Sequence, residues 1–336
     1  MHNKDLCKIC CDSNIHIYHK NYPGFVENTF FDIYRCNNCN TNYSSVNISS
    51  EELNQLYEKI YSNKNAQGYD KYIELANNIK KKDNPAKYLS KFHASYFGIF
   101  DELQNKKNKA ILDVGCGLGY LTFVLNKLGH KVTGLDVSSN AIKYAKENFG
   151  DLFVQGTIEQ YLPLTGNSFD YIIASEIIEH LLDPVDFIQK LINLVRPGGK
   201  IIITTPNKDY MNENAIWYTD LPPVHLYWFS KKSIDVIAGR IGVKVDYIKF
   251  SDYYPFDENR LIKYVPLRKE YIQKHVVDVN FEPFGERMNF YESTPRKIIK
   301  RIMHNFAPAR NISNFIYNHT IEKDLTMVAV FTKPVN

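Results

Sequence analysis

No apolar run in this chain of 336 residues approaches the roughly 18 needed to cross a membrane. Its opening, MHNKDLCKIC, lacks the apolar core of a secretory signal. Both absences lead to the expectation of a soluble, cytoplasmic protein. An excess of one charge is missing too. Lys and Arg number 41 against 37 Asp and Glu, for a net charge of +4. Proteins that grip nucleic acid through phosphate neutralisation usually carry a stronger basic excess or stripe. Internal repeats are absent, which excludes a solenoid or array. Cysteine is nearly absent beyond residue 39, where only Cys116 remains.

The other five cysteines lie within the first 39 residues, and four form two C-x-x-C pairs, Cys7/Cys10 and Cys36/Cys39. In a reducing compartment such clustering reads as metal binding before disulfides. Two tight C-x-x-C turns can bring four thiolates to one tetrahedral Zn²⁺. With four cysteines no position stays open for water, so the ion is expected to staple the fold. The run FFDIYR suits a hairpin feeding the second pair, and Cys11 is expected to point elsewhere, with an exchange for Cys10 left open.

Periodicity divides the chain into five segments. Residues 1–45 form a zinc-ribbon-like module, and 46–107 a helical linker or cap. Within the cap, EELNQLYEKIYS and AKYLSKFHASYFGIFDEL are helical, flanking a polar, Lys-rich stretch. Residues 108–250 alternate β-rich runs (AILDVG, KVTGLDV, LFVQG, YIIASE, KIIITTP, VKVDYIKF) with helical ones, the signature of an α/β fold with a mostly parallel, Rossmann-like sheet. Residues 251–323 show no clear period and are expected to form an insertion or lid with helices of its own. LTMVAVFTK in 324–336 is expected to pair with VKVDYIKF as a final edge strand.

The strongest signal is ILDVGCGLG, a buried strand running into Gly115, Gly117 and Gly119 and then a helix. Glycines there let the backbone turn tightly and approach a ligand, and the helix start offers free N–H groups. A second strand ends in Asp136, where a carboxylate can accept both hydroxyls of an adenosine ribose. Dinucleotide enzymes share this arrangement but space their glycines G-x-G-x-x-G. Here the third glycine falls one residue early, and Tyr120 holds the fingerprint position.

Residues 110–207, through DVGCGLG, LDVS, QGTIEQYLPLTGNSFDYIIASEIIEHLLDP and LVRPGGKIIITTPN, resemble the class I S-adenosylmethionine methyltransferase family in order and spacing. The resemblance implies that Gly115, Cys116, Gly117 and Gly119 cradle the methionine portion of S-adenosylmethionine and that Asp113 holds its amino group. It further implies Asp136 on the ribose, Val137 beside the adenine, Thr157 and Ile158 lining the adenine pocket, and Ser175 at the loop beyond the fourth strand. The N-terminal module resembles the zinc-binding domain of some sugar methyltransferases; some ribosomal-RNA guanine methyltransferases carry one too.

Two segments offer candidate catalytic residues. Glu176, Glu179 and His180 are spaced i, i+3, i+4, which on a helix would share one face. Related quinone-pathway O-methyltransferases use an E-x-x-E-H cluster there for a divalent ion, whereas elsewhere the E-H pair only orders the loop. The second segment, PPVHLYWFS, resembles the P-x-H-L-x-x-F-S stretch of small-molecule methyltransferases. It makes His225 a candidate base or, alternatively, a loop-fixing residue, with Ser230 as helix cap. Trp217, Tyr227 and Trp228 either wall the pocket or pack. The basic run Arg296–Arg301 reads as a solvated helix face. Neither a Pro-Cys dipeptide nor a [DNS]-P-P-[YFW] motif after the fourth strand is present, so the usual DNA methyltransferase signatures are missing. The expectation is methyl transfer to a small molecule, a sugar or nucleotide-linked sugar. An RNA methyltransferase using the zinc module, and a cofactor-binding protein without chemistry, are the alternatives.

Overall fold

The computed structural model describes residues 6–62, 70–165, 168–210, 221–250, 275–281 and 326–335. Trp217, Arg296–Arg301 and all of the expected lid except 275–281 lie outside the described residues. The chain begins with three antiparallel strands, β1 (Ile15–Pro23), β2 (Phe30–Cys36) and β3 (Asn42–Ser44). Four helices follow: α1 (Ser50–Ser62), α2 (Asp70–Ile79), α3 (Pro85–Phe92) and α4 (Ala94–Glu102). Helix α2 lies in the stretch that composition marks as merely polar. Its Leu75, Ala76 and Ile79 are buried on one side, so tertiary packing supplies what the sequence pattern only hints at. The helical run after Pro85 breaks at His93, whose backbone is extended and whose ring accepts a hydrogen bond from Ser95 N to cap α4.

The alternating segment then lays down β4 (Ala110–Val114), α5 (Tyr120–Lys127), β5 (Lys131–Asp136), α6 (Ser139–Phe149), β6 (Phe153–Gln155), α7 (Ile158–Thr165) and β7 (Phe169–Ser175). A single 3₁₀ turn (Ile178–His180) leads to α8 (Pro184–Leu194), β8 (Val195–Pro206), a second 3₁₀ turn (Lys208–Tyr210), β9 (Tyr227–Trp228), α9 (Lys231–Ile241), β10 (Lys244–Tyr247) and β11 (Thr326–Thr332). Seven strands form one sheet in the order β10-β11-β8-β7-β4-β5-β6. The pairs from β8 through β6 are parallel; β11 runs antiparallel to both neighbours. The chain proceeds outward from β4 to β6, then returns to β7 on the other side of β4. That reversal opens a crevice at the carboxyl ends of the central strands, where ligands of open α/β sheets bind.

Alternate residues of the central strands feed two cores. Leu112, Ile172, Ala174, Ile201 and Ile203 pack toward α8, α9 and the N-terminal module. Ile111, Ile173, Ile202 and Val328 pack toward α2–α5. Sheets covered on both faces read as continuous apolar runs, as these do. The same logic corrects the placement of β11. It pairs with β10 as expected but is not the edge strand, because Met327 through Phe331 are all buried. The edge is β10, whose exposed Lys244 and Asp246 suit a strand with one free side.

The N-terminal module is not self-contained. Its sheet runs β1-β2-β3-β9, so the last strand comes from a loop more than 180 residues downstream. Cys7, Ile9, Cys36 and Cys39 share a core with Phe229, Ile234 and Ile237. Among the described residues no helix is long and apolar enough to cross a membrane.

Candidate cofactor cleft, acceptor loop and thiol cluster

The turn between β4 and α5 holds Gly115, Gly117 and Gly119 at φ of +68°, +51° and +81°, the left-handed region that side chains disfavour. Two of these glycines are required by the protein itself. A Cβ on Gly115 would collide with Ile177, and one on Gly119 would lie 2.6 Å from Phe153. Gly117 differs, since a Cβ there would meet nothing within 4 Å. Its side of the turn is open, which suits a loop shaped for a ligand. Gly119 caps α5 without a side-chain hydrogen bond, leaving the first amides of that helix available to polar groups of a ligand.

Asp136 closes this turn from the end of β5. Its Oδ2 accepts from Gly117 N at 2.8 Å and its Oδ1 from Ser138 N at 2.9 Å. It is 7% exposed, and burial raises its pKa. Each carboxylate oxygen has two acceptor directions, so these bonds leave the carboxylate with acceptor capacity to spare. Val137, beside it, is 44% exposed. Asp113 is only 2% exposed and accepts a 2.6 Å bond from Thr122 Oγ1. Burial, with the nearby Asp136 charge adding to it, raises the Asp113 pKa to about 7. Asp113 therefore braces the start of the turn from beneath.

The remaining expected cofactor residues take various places. Cys116 packs with Ile142, Ala145 and Phe153. Thr157 caps α7 reciprocally with Gln160: Thr157 N donates to Gln160 Oε1 at 2.9 Å, and Gln160 N to Thr157 Oγ1 at 3.4 Å. Ile158 is buried in the main core. Ser175 Oγ lies 2.9 Å from Thr204 Oγ1 at the end of β7.

Glu176, Glu179 and His180 do not share a helical face. Glu176 is left-handed (φ +56°) and precedes the 3₁₀ turn, so no helix carries all three. Glu176 Oε1 accepts from Ser95 Oγ and Thr204 Oγ1, both at 2.8 Å. Glu179, 1% exposed, accepts from Thr205 Oγ1 at 3.0 Å. His180 Nδ1 lies 2.7 Å from Val224 O; a carbonyl only accepts, so Nδ1 carries the proton. Tyr57 Oη donates to the same carbonyl at 2.9 Å. His180 thus fixes the loop of residues 221–226 that carries His225. Its ring meets His225 edge-on, 4.4 Å between centroids. Burial lowers both pKa values to about 3, His180 being pushed further by His225. Both rings are neutral at physiological pH, and the 3.8 Å approach of His180 Nε2 to Glu179 Oε1 is not an ion pair.

Among the described residues, one group has ligand atoms converging as a metal site would. The sulfurs of Cys7, Cys10, Cys36 and Cys39 all lie within 4.8 Å of one another. Cys7–Cys39 are 3.6 Å apart and Cys10–Cys36 3.4 Å. A tetrahedron with Zn–S bonds of about 2.3 Å has S–S edges of about 3.8 Å, so the cage fits that ion. Hydrogen bonding, first from Cys7, lowers the Cys39 pKa. Cys11 is exposed and left-handed, outside the cage.

The structure also adds residues that pattern did not single out. Thr122 and Ser138 serve the two acids, Ser95 and Thr204 hold Glu176, and Tyr57 shares the loop carbonyl with His180. Only Ser138 has a local signal, since it stands two residues after Asp136 and caps α6.

Residues 105–257 match a family model described as "Methyltransferase domain". A human protein named ubiquinone biosynthesis O-methyltransferase, mitochondrial, is 30% identical over 200 residues, covering 52% of this chain and 54% of that one. The protein of the same name from Dictyostelium discoideum is 37% identical over 117 residues, 30% of this chain and 36% of that one. The chain thus spans about half the length of the human relative. A solved S-adenosylmethionine-dependent methyltransferase from Mesorhizobium loti aligns with 72% of this chain and 98% of its own, at 14% identity and a TM-score of 0.44. The segment 105–257 is thus similar to methyltransferase domains, and it holds the glycine turn, the acid at the tip of β5 and the parallel strands β4 to β8.

Proposed function

We propose that this protein binds S-adenosylmethionine between β4 and β5 and transfers its methyl group to a hydroxyl of a small molecule. The observation carrying this reading is the turn that Asp136 closes through Gly117 N, open where a Cβ of Gly117 would stand. S-Adenosylmethionine supplies an already activated methyl; the chain's task is orientation, which can contribute roughly 7–11 kcal/mol. His225 stands on the loop at the carboxyl edge of the sheet and takes the acceptor proton. Its low pKa suits a late proton transfer, because a hydroxyl becomes far more acidic as its new O–C bond forms. His180 and Tyr57 act on Val224 and so position the loop. The four cysteines would hold Zn²⁺ with no open coordination position, a structural role.

Oxygen as the methylated atom is favoured by the relatives' names. The PPVHLYWFS segment and the N-terminal module favour a sugar hydroxyl; the relatives' names favour an oxygen of a compound in ubiquinone biosynthesis. The test measures S-adenosylhomocysteine release with nucleotide sugars, with catechol-type phenols and with total RNA. Turnover with either small-molecule class supports the reading and identifies the acceptor. Turnover with RNA alone would overturn it.

A further inference from the structure

We propose that the four-thiol cluster positions the acceptor loop, so that its metal occupancy is felt at residues 222–230 and not in the cofactor cleft. This rests on the reading of the cluster as a metal site and of His225 as the acceptor-side base. The second knuckle is welded to the start of α9. Cys39 O accepts from Ser233 Oγ at 3.2 Å and from Ser230 Oγ at 3.5 Å. Thr41 Oγ1, 3.1 Å from Cys39 Sγ, donates to Ser233 Oγ at 2.8 Å. The first knuckle is held from the other end of the same helix, where Arg240 donates to Lys8 O at 2.8 Å and to Ile9 O. Both halves of the cage therefore clamp α9, whose N-cap Ser230 ends the acceptor loop.

The strand leaving the second knuckle then fixes the loop's register. In β3, Asn42 and Tyr43 pair with Trp228 and Tyr227, and Ser44 N donates to Leu226 O at 2.9 Å. From the opposite side Leu226 N donates to Glu179 O at 2.8 Å. At the loop's start Phe25 N donates to Pro222 O at 2.7 Å. His225 thus sits on a short segment held between the thiol module and the turn carrying His180. A strand of two residues has little pairing of its own, and one slipped residue would send alternate side chains to the other face. The cofactor turn is held separately, by bonds among Asp136, Gly117, Ser138, Asp113 and Thr122.

The experiment uses the full-length protein with its metal content measured before and after chelation. Hydrogen exchange is followed over 222–230 and 110–138, with S-adenosylhomocysteine affinity measured alongside. On metal removal, exchange over 222–230 is expected to accelerate at least about tenfold, as for local opening. Protection over 110–138 is expected to persist, with affinity within about twofold. Thr41→Val, which keeps the cage but cuts the link to Ser233, is expected to accelerate the same segment more weakly with metal retained. Unchanged exchange over 222–230 after verified metal loss would overturn the coupling while leaving the metal reading intact. Loss of protection everywhere would overturn it in favour of a general fold staple. A protein purified without metal would remove its premise.

Discussion

Replacing Asp136 by alanine tests the centre of this reading. Its two oxygens each accept a backbone N–H, from Gly117 and from Ser138, and the carboxylate retains acceptor capacity for ribose hydroxyls. Hydrogen bonds to a charged group are worth roughly 1.5–3 kcal/mol each. The ribose hydroxyls regain water when the partner is lost, so the net cost to binding is about 2–3 kcal/mol and not the sum. At about 1.4 kcal/mol per tenfold, affinity for S-adenosylhomocysteine falls by roughly 30- to 150-fold. Some cost to folding accompanies it, since two amides lose their acceptor. Burial already raises the Asp136 pKa, however, so removing the charge also relieves a desolvation penalty. The variant should fold with a lowered Tm. Asp136→Asn gives the sharper control. Both oxygens face N–H donors, so the amide must turn its own NH₂ toward one of them and should bind nearly as poorly as alanine. Titration calorimetry on protein of verified circular dichroism reads both. Affinity within threefold of wild type for Asp136→Ala, or full affinity for Asp136→Asn, would refute the ribose assignment.

Gly117→Ala projects a Cβ into the open side of the turn at a left-handed φ, costing about 1–2 kcal/mol in backbone strain. It should lose cofactor affinity by calorimetry out of proportion to its drop in Tm, whereas Gly115→Ala, colliding with Ile177, should mainly lose stability. His225→Ala should lower turnover by at least about 100-fold, the usual share of a general base. S-Adenosylhomocysteine affinity should be unchanged; full activity would end its candidacy. Because the native His180 and His225 pKa values lie at about 3, below the unfolded value, protons bind the unfolded chain preferentially. Their stability contribution is full above about pH 6.5 and is lost as pH falls below it. Urea unfolding of His225→Ala should accordingly show a shallower loss between pH 6.5 and 5. Asp113 has the opposite sign: its pKa is raised to about 7, so its contribution is present below the unfolded carboxylate value and lost as pH rises through 7. A cationic donor favours the carboxylate, so S-adenosylmethionine binding near pH 7 should release protons. Enthalpies that do not vary with buffer ionisation would count against that.

The strands β4, β5, β6, β7, β8 and β10 were legible because each falls in a β-rich run, with helical runs between most of them closed by Gly, Pro or a capping side chain. The glycine turn, Asp136 and the four cysteines were legible for a different reason. Their chemistry depends on spacing within a few residues, as does the Ser230 cap. The E-x-x-E-H spacing misled, because a helical face was assumed where a left-handed Glu176 turns the chain.

What the sequence could determine by itself is whatever short-range spacing and periodicity enforce: the parallel α/β order, the glycine turn, the thiol pairs. Only the tertiary structure decided that β11 inserts between β8 and β10, and that β9 completes the N-terminal sheet. It alone decided that His180 braces Val224 while facing His225. These are contacts between segments 44 to more than 180 residues apart. Such pairings are selected by which buried faces and unpaired backbone groups remain once local structure has formed, and no local pattern records that outcome.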